Sequence, residues 1–174
     1  LNRVETYFGG DQSIVRRYTD LTLIGTVRSA VLDQRFRLEA QSVVSFGDAP
    51  AAPKFELLLR MSDEQGESVP PEKFLSAAER YQLAPAIDRW VVRRTIEMLT
   101  PHAARLQEIQ AGFAVNISGQ SLGDAEFAAF MATTLRDRNL PRGLLSFEVT
   151  EPAAVPNTVA AEALPRPLRR LPSD

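Results

Sequence analysis

The chain has 174 residues, a net charge of −2 and a hydrophobic fraction of 44%, values typical of a globular protein with one or two domains. Its small and scattered charge argues against a nucleic-acid polymer as partner. The absence of cysteine excludes disulfides, thiolate metal sites and cysteine nucleophiles, and it fits a reducing compartment.

The N-terminal part is predicted to contain one helix and two strands. Residues 11–32 carry apolar side chains at helical spacing, although Gly25 should weaken this helix midway. We interpret residues 1–32 as a connector helix from an upstream domain. Residues 36–44 alternate between apolar and polar side chains, which predicts a half-buried strand. Residues 55–61 are strongly apolar and are typical of a strand buried on both faces of a parallel sheet.

Two helices are predicted after these strands. The proline pair at 70–71 suits the first turn of a helix. A second helix begins near Ala84, with Trp90 and Met98 among the residues expected to face inward. Pro101 should end or kink it.

The rest of the chain continues the alternation of strands and helices. Residues 113–117 and 143–149 are predicted strands, and the helix between them is one that Asp124 can cap. The order of elements predicts an α/β fold with parallel strands. Residues 151–174 contain five prolines, and beyond Leu164 we expect no packed element.

Three oxygen-bearing side chains occupy positions where buried strands should carry apolar residues: Glu56, Asn116 and Glu148. Functional groups of parallel α/β folds gather at the carboxyl ends of strands, so we expect the three to converge. Two carboxylates and an amide oxygen suit a hard cation such as Mg²⁺ or Mn²⁺. In the alternative, Asn116 only satisfies a loop and the carboxylates pair with arginines, which are Arg60, Arg89 or Arg93.

Two other polar features carry less functional weight. His102, the single histidine, follows a proline in a predicted loop and is expected to be solvated. Residues 9–12 read Gly-Gly-Asp-Gln, which invites comparison with a diguanylate cyclase motif. The acidic and aromatic residues that this motif needs are missing there, so we interpret it as a loop and helix start.

The stretches that contain Glu56, Asn116 and Glu148 resemble motifs of the EAL domain family. Residues 36–41 resemble the family's first strand, with Ser42 in place of the usual proline. Residues 56–60 read Glu-Leu-Leu-Leu-Arg, where the family has its Glu-Ala-Leu signature followed by Leu-Arg. The Val-Asn-Ile-Ser sequence at 115–118 and the Glu-x-x-Glu sequence at 148–151 follow in the family's order.

Weaker resemblances surround these motifs. Residues 70–79 and 87–92 are similar to two further family stretches. Residues 1–32 resemble the link that joins a diguanylate cyclase (GGDEF) domain to an EAL domain, so the parent protein is expected to have such a domain upstream.

The resemblance implies a TIM-like (β/α) barrel that hydrolyses cyclic di-GMP to linear pGpG with two Mg²⁺ or Mn²⁺ ions. By motif match it implies that the metal ligands are Glu56, Asn116 and Glu148. It further implies that Glu151 supports a loop beside the metal ions and that Gln41 and Arg60 bind substrate. Glu56 and Glu151 are thereby implied in catalysis. For the arginine, a charge-assisted bond to phosphate is the natural role.

The family pattern also contains a later Asp-Asp-Phe-Gly motif, a lysine, a glutamate and a glutamine that this sequence lacks. We therefore interpret residues 33–151 as the N-terminal half of a truncated EAL barrel and residues 152–174 as a divergent tail rich in proline and arginine. Such a half-barrel exposes sheet edges, so we expect the chain alone to be inactive, structurally marginal and prone to form homo-oligomers.

Three functional interpretations stay open. The chain derives from a cyclic di-GMP-specific phosphodiesterase and has lost activity, or it is a non-catalytic module that binds cyclic di-GMP or a protein. The third is an unrelated α/β domain with coincidental motifs. No apolar run reaches the about 18 residues of a membrane span. A cytoplasmic location is expected, and the absence of cysteine fits a reducing cytosol. The start at Leu1 suggests an excerpt, which leaves membrane attachment of the parent through upstream segments open.

Overall fold

The computed structural model describes residues 12–44, 52–136 and 140–149, with the backbone alone for residues 12–20. These residues form six α-helices, one 3₁₀ turn and five strands. Their order is α1 (Gln12–Leu32), β1 (Phe36–Val43), β2 (Lys54–Ser62), β3 (Ser68–Val69), α2 (Pro71–Arg80), α3 (Ala84–Leu99), the 3₁₀ turn (Thr100–His102), α4 (Ala103–Glu108), β4 (Gly112–Ile117), α5 (Gly119–Leu122), α6 (Ala125–Arg136) and β5 (Leu145–Val149). Every helix and strand predicted within the described ranges is present. The elements β3, α4 and α5 were not predicted.

The strands form one sheet in the order β1-β2-β4-β5, with β3 paired to β2. Strands β2, β4 and β5 are parallel, as predicted, and helices connect them. Strand β1, which lies outside the predicted alternation of strands and helices, runs antiparallel to β2. Ten positions of sequence, 44–53, separate the two strands, whereas a parallel pair needs a crossover of about a dozen residues or more.

The sheet has one apolar face covered by helices. Leu57, Val115 and Phe147 lie on this face, because the register pairs them across β2, β4 and β5, and all three are buried. They belong to the same core as residues of α1, α2, α3 and α6. Strand β2 was predicted to be buried on both faces, and this is wrong in the described part of the chain. The helices there pack on one side, and the side chains that alternate with Leu57 remain partly exposed.

Two predicted helix details, the end of α3 at Pro101 and the cap at Asp124, are present, and the inward position of Met98 is not. Helix α1 continues through Gly25 without a break, and α3 gives way to the 3₁₀ turn at Pro101. Asp124 caps α6, since its Oδ1 accepts a 2.9 Å hydrogen bond from the Glu126 amide. Met98 was expected to face inward but is 38% exposed, because it follows the polar face of α3 rather than the stripe that the core covers.

His102 is exposed in the turn after α3, as expected for a solvated histidine. Within the described residues, none of the helices has the length and apolar character needed to cross a membrane. The second half of α1 contributes to the core, where Ile24, Val27 and Ala30 are buried and the helix contacts α2.

Candidate active site on the polar face of the sheet

The five described site candidates lie on the sheet face opposite the helices. Paired residues of neighbouring strands point to the same side, and so do residues two apart along a strand. Gln41 is paired with Glu56, Glu56 with Ala114, and Asn116 with Glu148. The face that we call the polar face therefore carries all five: Gln41, Glu56, Arg60, Asn116 and Glu148. Glu151 lies outside the described residues.

The structure joins Glu56 and Asn116 directly. The Asn116 side-chain Nδ2 donates a 2.7 Å hydrogen bond to Glu56 Oε1 across 60 positions of sequence. Glu148 occupies the position paired with Asn116 on the next strand, at the spacing of about 4.8 Å that separates neighbouring strands. We call these three residues the carboxylate cluster. Asn116 is its centre, because it bonds to one glutamate and is in register with the other.

Only part of the cluster lies at the carboxyl ends of strands. Asn116 and Glu148 are the second-last residues of β4 and β5. Glu56 is the third residue of β2 and is in register with Ala114, which lies two residues before Asn116. The expectation of a strand end is therefore wrong for Glu56. Its side chain closes the gap by reaching along the face to the Asn116 amide.

A second group of charges lies further along the same face. Arg60 Nε donates a 2.8 Å hydrogen bond to Glu39 Oε2, and Arg37 donates to Glu39 Oε1 at 3.1 Å. These bonds from Arg37 and Arg60 lower the pKa of Glu39 below its ordinary value. We call the three residues the arginine cluster. Arg60 is four residues from Glu56, about 13 Å along the strand, so the two predicted site residues belong to neighbouring groups.

The alternative explanation of the carboxylates as partners of arginines is wrong in the part of the chain that the structure describes. Arg60 pairs with Glu39, and Arg89 pairs with Asp124 and Glu126. Arg93 lies over the ring of Phe130, 5.8 Å from its centroid. No ion pair among the described residues involves the two glutamates of the carboxylate cluster.

The carboxylate cluster fits a hard divalent cation in an open site. Its donors are two carboxylates and one amide, and the bond to Glu56 does not use Asn116 Oδ1. Within the described ranges, no group of three or more histidine, aspartate or glutamate side chains is placed so that it could hold a metal ion. Mg²⁺ is commonly held by one or two carboxylates while water and substrate phosphates complete its shell. The donor set matches that mode of binding.

One polar residue near the site was missed in the sequence. Asp88 on α3 is only 7% exposed and accepts hydrogen bonds from Ser118 and Ser121, just beyond β4. Burial raises the pKa of Asp88, and the nearby Glu79 adds to the shift, whereas the hydrogen bonds from both serines oppose it. The signal was present, since Asp88 sits between apolar residues on the inward stripe of a predicted helix. A buried carboxylate in such a place needs partners.

Comparison with known proteins identifies the family and the fold. The family model of the EAL domain matches residues 24–172. Among the solved structures, the crystal structure of the FimX EAL domain from Pseudomonas aeruginosa bound to c-di-GMP superposes with a TM-score of 0.71 and 32% sequence identity. That match covers 83% of this chain and 57% of the FimX chain. The described sheet and helices therefore form part of a TIM-like barrel.

Curated relatives include two bacterial cyclic di-GMP phosphodiesterases. PdeB of Shewanella oneidensis is 26% identical over 170 residues, which are 98% of this chain and 20% of PdeB. PdeF of Escherichia coli is 29% identical over 152 residues, which are 87% of this chain and 20% of PdeF. The chain thus spans about a fifth of the length of these relatives.

Proposed function

The chain belongs to the EAL domain family, and from this premise we propose that its polar face carries part of a cyclic di-GMP phosphodiesterase site. The observation that supports the proposal most is the 2.7 Å hydrogen bond between Asn116 and Glu56, with Glu148 in register beside it. PdeB and PdeF, which share this domain, are phosphodiesterases of cyclic di-GMP.

Each residue of the carboxylate cluster has a proposed part in holding Mg²⁺ or Mn²⁺. Glu56 and Glu148 supply the negative charge, and Asn116 fixes the Glu56 carboxylate while its Oδ1 is the third donor. A divalent cation held by these residues would supply the activation of a water and the charge that neutralises the phosphate. We propose that Glu151 supports the adjacent loop, as the family motif implies.

Gln41 and Arg60 are proposed to hold the nucleotide. Gln41 is paired with Glu56, so an amide side chain lies beside the carboxylate cluster. The Arg60 guanidinium suits a phosphate, because its N–H donors lie in one plane as a fixed fork that can bind two oxygens of the anion. Glu39 holds this guanidinium in the present structure. Binding of the nucleotide phosphate therefore has to compete with Glu39 for Arg60.

A second candidate function is binding of cyclic di-GMP without hydrolysis. The observation that favours it is the donor set, in which the carboxylate cluster contains only two carboxylates of the described residues. The FimX EAL domain, which resembles this chain, has been crystallised with c-di-GMP bound. Both functions share the same ligand and the same residues, and they differ in whether the phosphodiester bond is broken.

The wider setting is also a proposal. An upstream GGDEF domain rests on the resemblance of residues 1–32 to a known link, and a homo-oligomer rests on the open edge expected of a half-barrel. A cytoplasmic location follows from the proposed ligand, a second messenger inside bacteria.

The test uses the purified chain with cyclic di-GMP and Mn²⁺, with pGpG measured by chromatography and nucleotide binding by calorimetry. Glu56→Gln removes one charge of the cluster, and Glu67→Gln removes one exposed charge from the loop after β2 as the matched control. Turnover that is lost in Glu56→Gln and kept in the control supports the phosphodiesterase. Nucleotide binding without turnover, lost in Glu56→Gln and kept in Glu67→Gln, supports the second candidate. The absence of both binding and turnover contradicts both functions.

A further inference from the structure

We propose that Asp88 is a positioning residue that sets the place of Asn116 on the polar face. Any effect of Asp88 on the binding of a metal ion or nucleotide rests on the proposed function, whereas its effect on the position of Asn116 does not. Asp88 lies on α3, on the opposite side of the sheet from Glu56, and belongs to none of the site residues that the sequence motifs identify.

A single oxygen of Asp88 collects three hydrogen bonds. Its Oδ2 accepts from the Ser118 backbone amide at 2.9 Å, from Ser118 Oγ at 2.7 Å and from Ser121 Oγ at 2.6 Å. The carboxylate and the Ser121 side chain are both buried. Bonds to an ionised acceptor inside a protein are short and strong. The start of the segment after β4 is therefore fixed to α3 at one point.

Ser118 is the residue at which this fixation reaches the site. It follows Ile117, the last residue of β4, and it caps α5, since its Oγ accepts a 3.3 Å bond from the Ser121 amide. Asn116 lies two residues earlier and Ile117 is buried on the helix-covered face. The strand end is thus held on one side by the Ile117 side chain and beyond it by the bond to Asp88. Little freedom remains for the backbone of Asn116.

The hydrogen bond from Asn116 to Glu56 depends on that restriction. A side-chain bond of 2.7 Å between two different strands needs both backbones at defined positions. Glu56 lies in the interior of β2 and is fixed by pairing on both sides. Asn116 is next to the end of β4, where pairing stops one residue later. On the side of β2 the pairing of β4 already ends at Val115, and the Asp88 network adds a restraint just beyond the last pair on the side of β5.

A competing explanation gives the network a structural role alone. In that case Asp88 secures α3 to α5 and its loss lowers stability without affecting the Asn116 side chain. The two explanations differ in the state of Asn116 in a protein that remains folded.

Nuclear magnetic resonance of the ¹⁵N-labelled chain separates them without added ligand. For Asp88→Ala we expect amide exchange at Ser118 to become about tenfold faster or more, because a bond to a charged acceptor is lost. We also expect the Asn116 side-chain amide signals to move toward those of a solvated asparagine. Asp88→Asn keeps an acceptor oxygen and should restore both signals in part. Thr95→Val, another buried change on α3, is the matched control and should leave both signals in place.

Unchanged Asn116 side-chain signals in a folded Asp88→Ala chain, with faster exchange at Ser118, would overturn the proposal in favour of the structural role. If Asp88→Ala does not fold, Ser121→Ala removes one of the three bonds and is judged by the same signals. Mn²⁺ is then added to the wild-type chain. Broadening of the Asn116 signals supports the proposed cation site, and its absence contradicts that site while the ligand-free comparison still decides the role of Asp88.

Discussion

At the scale of single residues, Glu39 restrains an arginine proposed to bind substrate. The arginine cluster is exposed, so its ion pairs are weak and open to competition. The sequence identified Arg60 as a binding residue through its motif but did not reveal its partner. The pairing of β1 with β2 brings Glu39 and Arg60 together from positions 21 residues apart.

Glu39→Gln should increase the affinity for cyclic di-GMP by a few fold at most, because the phosphate no longer competes with a carboxylate for Arg60. The pKa of Glu39 is lowered, so the pair is present at neutral pH and is lost only below the ordinary pKa of a glutamate, 4.5. Calorimetric titration checks the affinity. Glu67→Gln changes the net charge equally, and an equal gain in that variant would show that charge alone is responsible.

Thr95 offers a test of the core at one hydroxyl. Its side chain is fully buried on α3, and Oγ1 has no hydrogen-bond partner in the described part of the chain. Thr95→Val should leave the free energy of unfolding unchanged or raise it by up to about 1 kcal/mol, because a buried unpaired hydroxyl is costly. Urea denaturation measures the change. Thr133→Val, which removes an exposed hydroxyl bonded within α6, should not stabilise the chain.

At the scale of elements, α3 and β4 are joined through Asp88. Helix α3 was predicted from its apolar stripe, and β4 from its short apolar run. The bond between them was not predicted, because it links residues 30 and 33 positions apart whose proximity depends on how α3 lies across the sheet. This contact also places a titratable group inside the fold.

The wild-type chain should lose stability relative to Asp88→Asn as the pH rises. Burial raises the folded-state pKa of Asp88 above 3.8, so the folded chain binds this proton more tightly than the unfolded chain. The stability due to Asp88 is therefore fully present below 3.8 and decreases as the pH rises through the higher folded value. Urea denaturation of both chains between about pH 3 and pH 7 gives the difference.

Other carboxylates titrate in the same range, but they are common to both chains and cancel in that difference. A difference that grows in favour of the wild type with rising pH would mean that the hydrogen bonds to the ionised Asp88 outweigh its burial.

At the scale of the whole molecule, the sheet has one covered and one open face. The core lies between the helices and the apolar face, while the polar face carries the site residues. Strand β5 pairs with β4 alone among the described residues, so the backbone groups of its other edge have no strand partner there. An unpaired edge is a surface for association.

We expect the purified chain to self-associate at micromolar concentration and to unfold over a broad temperature range. Light scattering coupled to gel filtration measures the mass at several concentrations, and circular dichroism follows unfolding. A monodisperse monomer with a sharp cooperative transition would show that the described half of the barrel is stable by itself. The division of the chain at residues 32 and 151 stays a prediction.

The sequence by itself determined the main helices and strands and the resemblance to the family. These are properties of short segments, because apolar periodicity and motif residues are read within a few positions of one another. Glu56, Asn116 and Glu148 were identified in this way. The structure places the three on one sheet face, and their roles stay proposals.

The tertiary structure alone decided which residues touch. It set the antiparallel direction of β1, the position of Glu56 before the end of β2, the Arg60–Glu39 pair and the bond from Asp88 to Ser118. Each depends on how distant segments pack. For the charged side chains among them, the sequence offers several partners of suitable charge or polarity. Local patterns do not choose among such partners, because the choice follows from strand register and from the placement of α3 on the sheet.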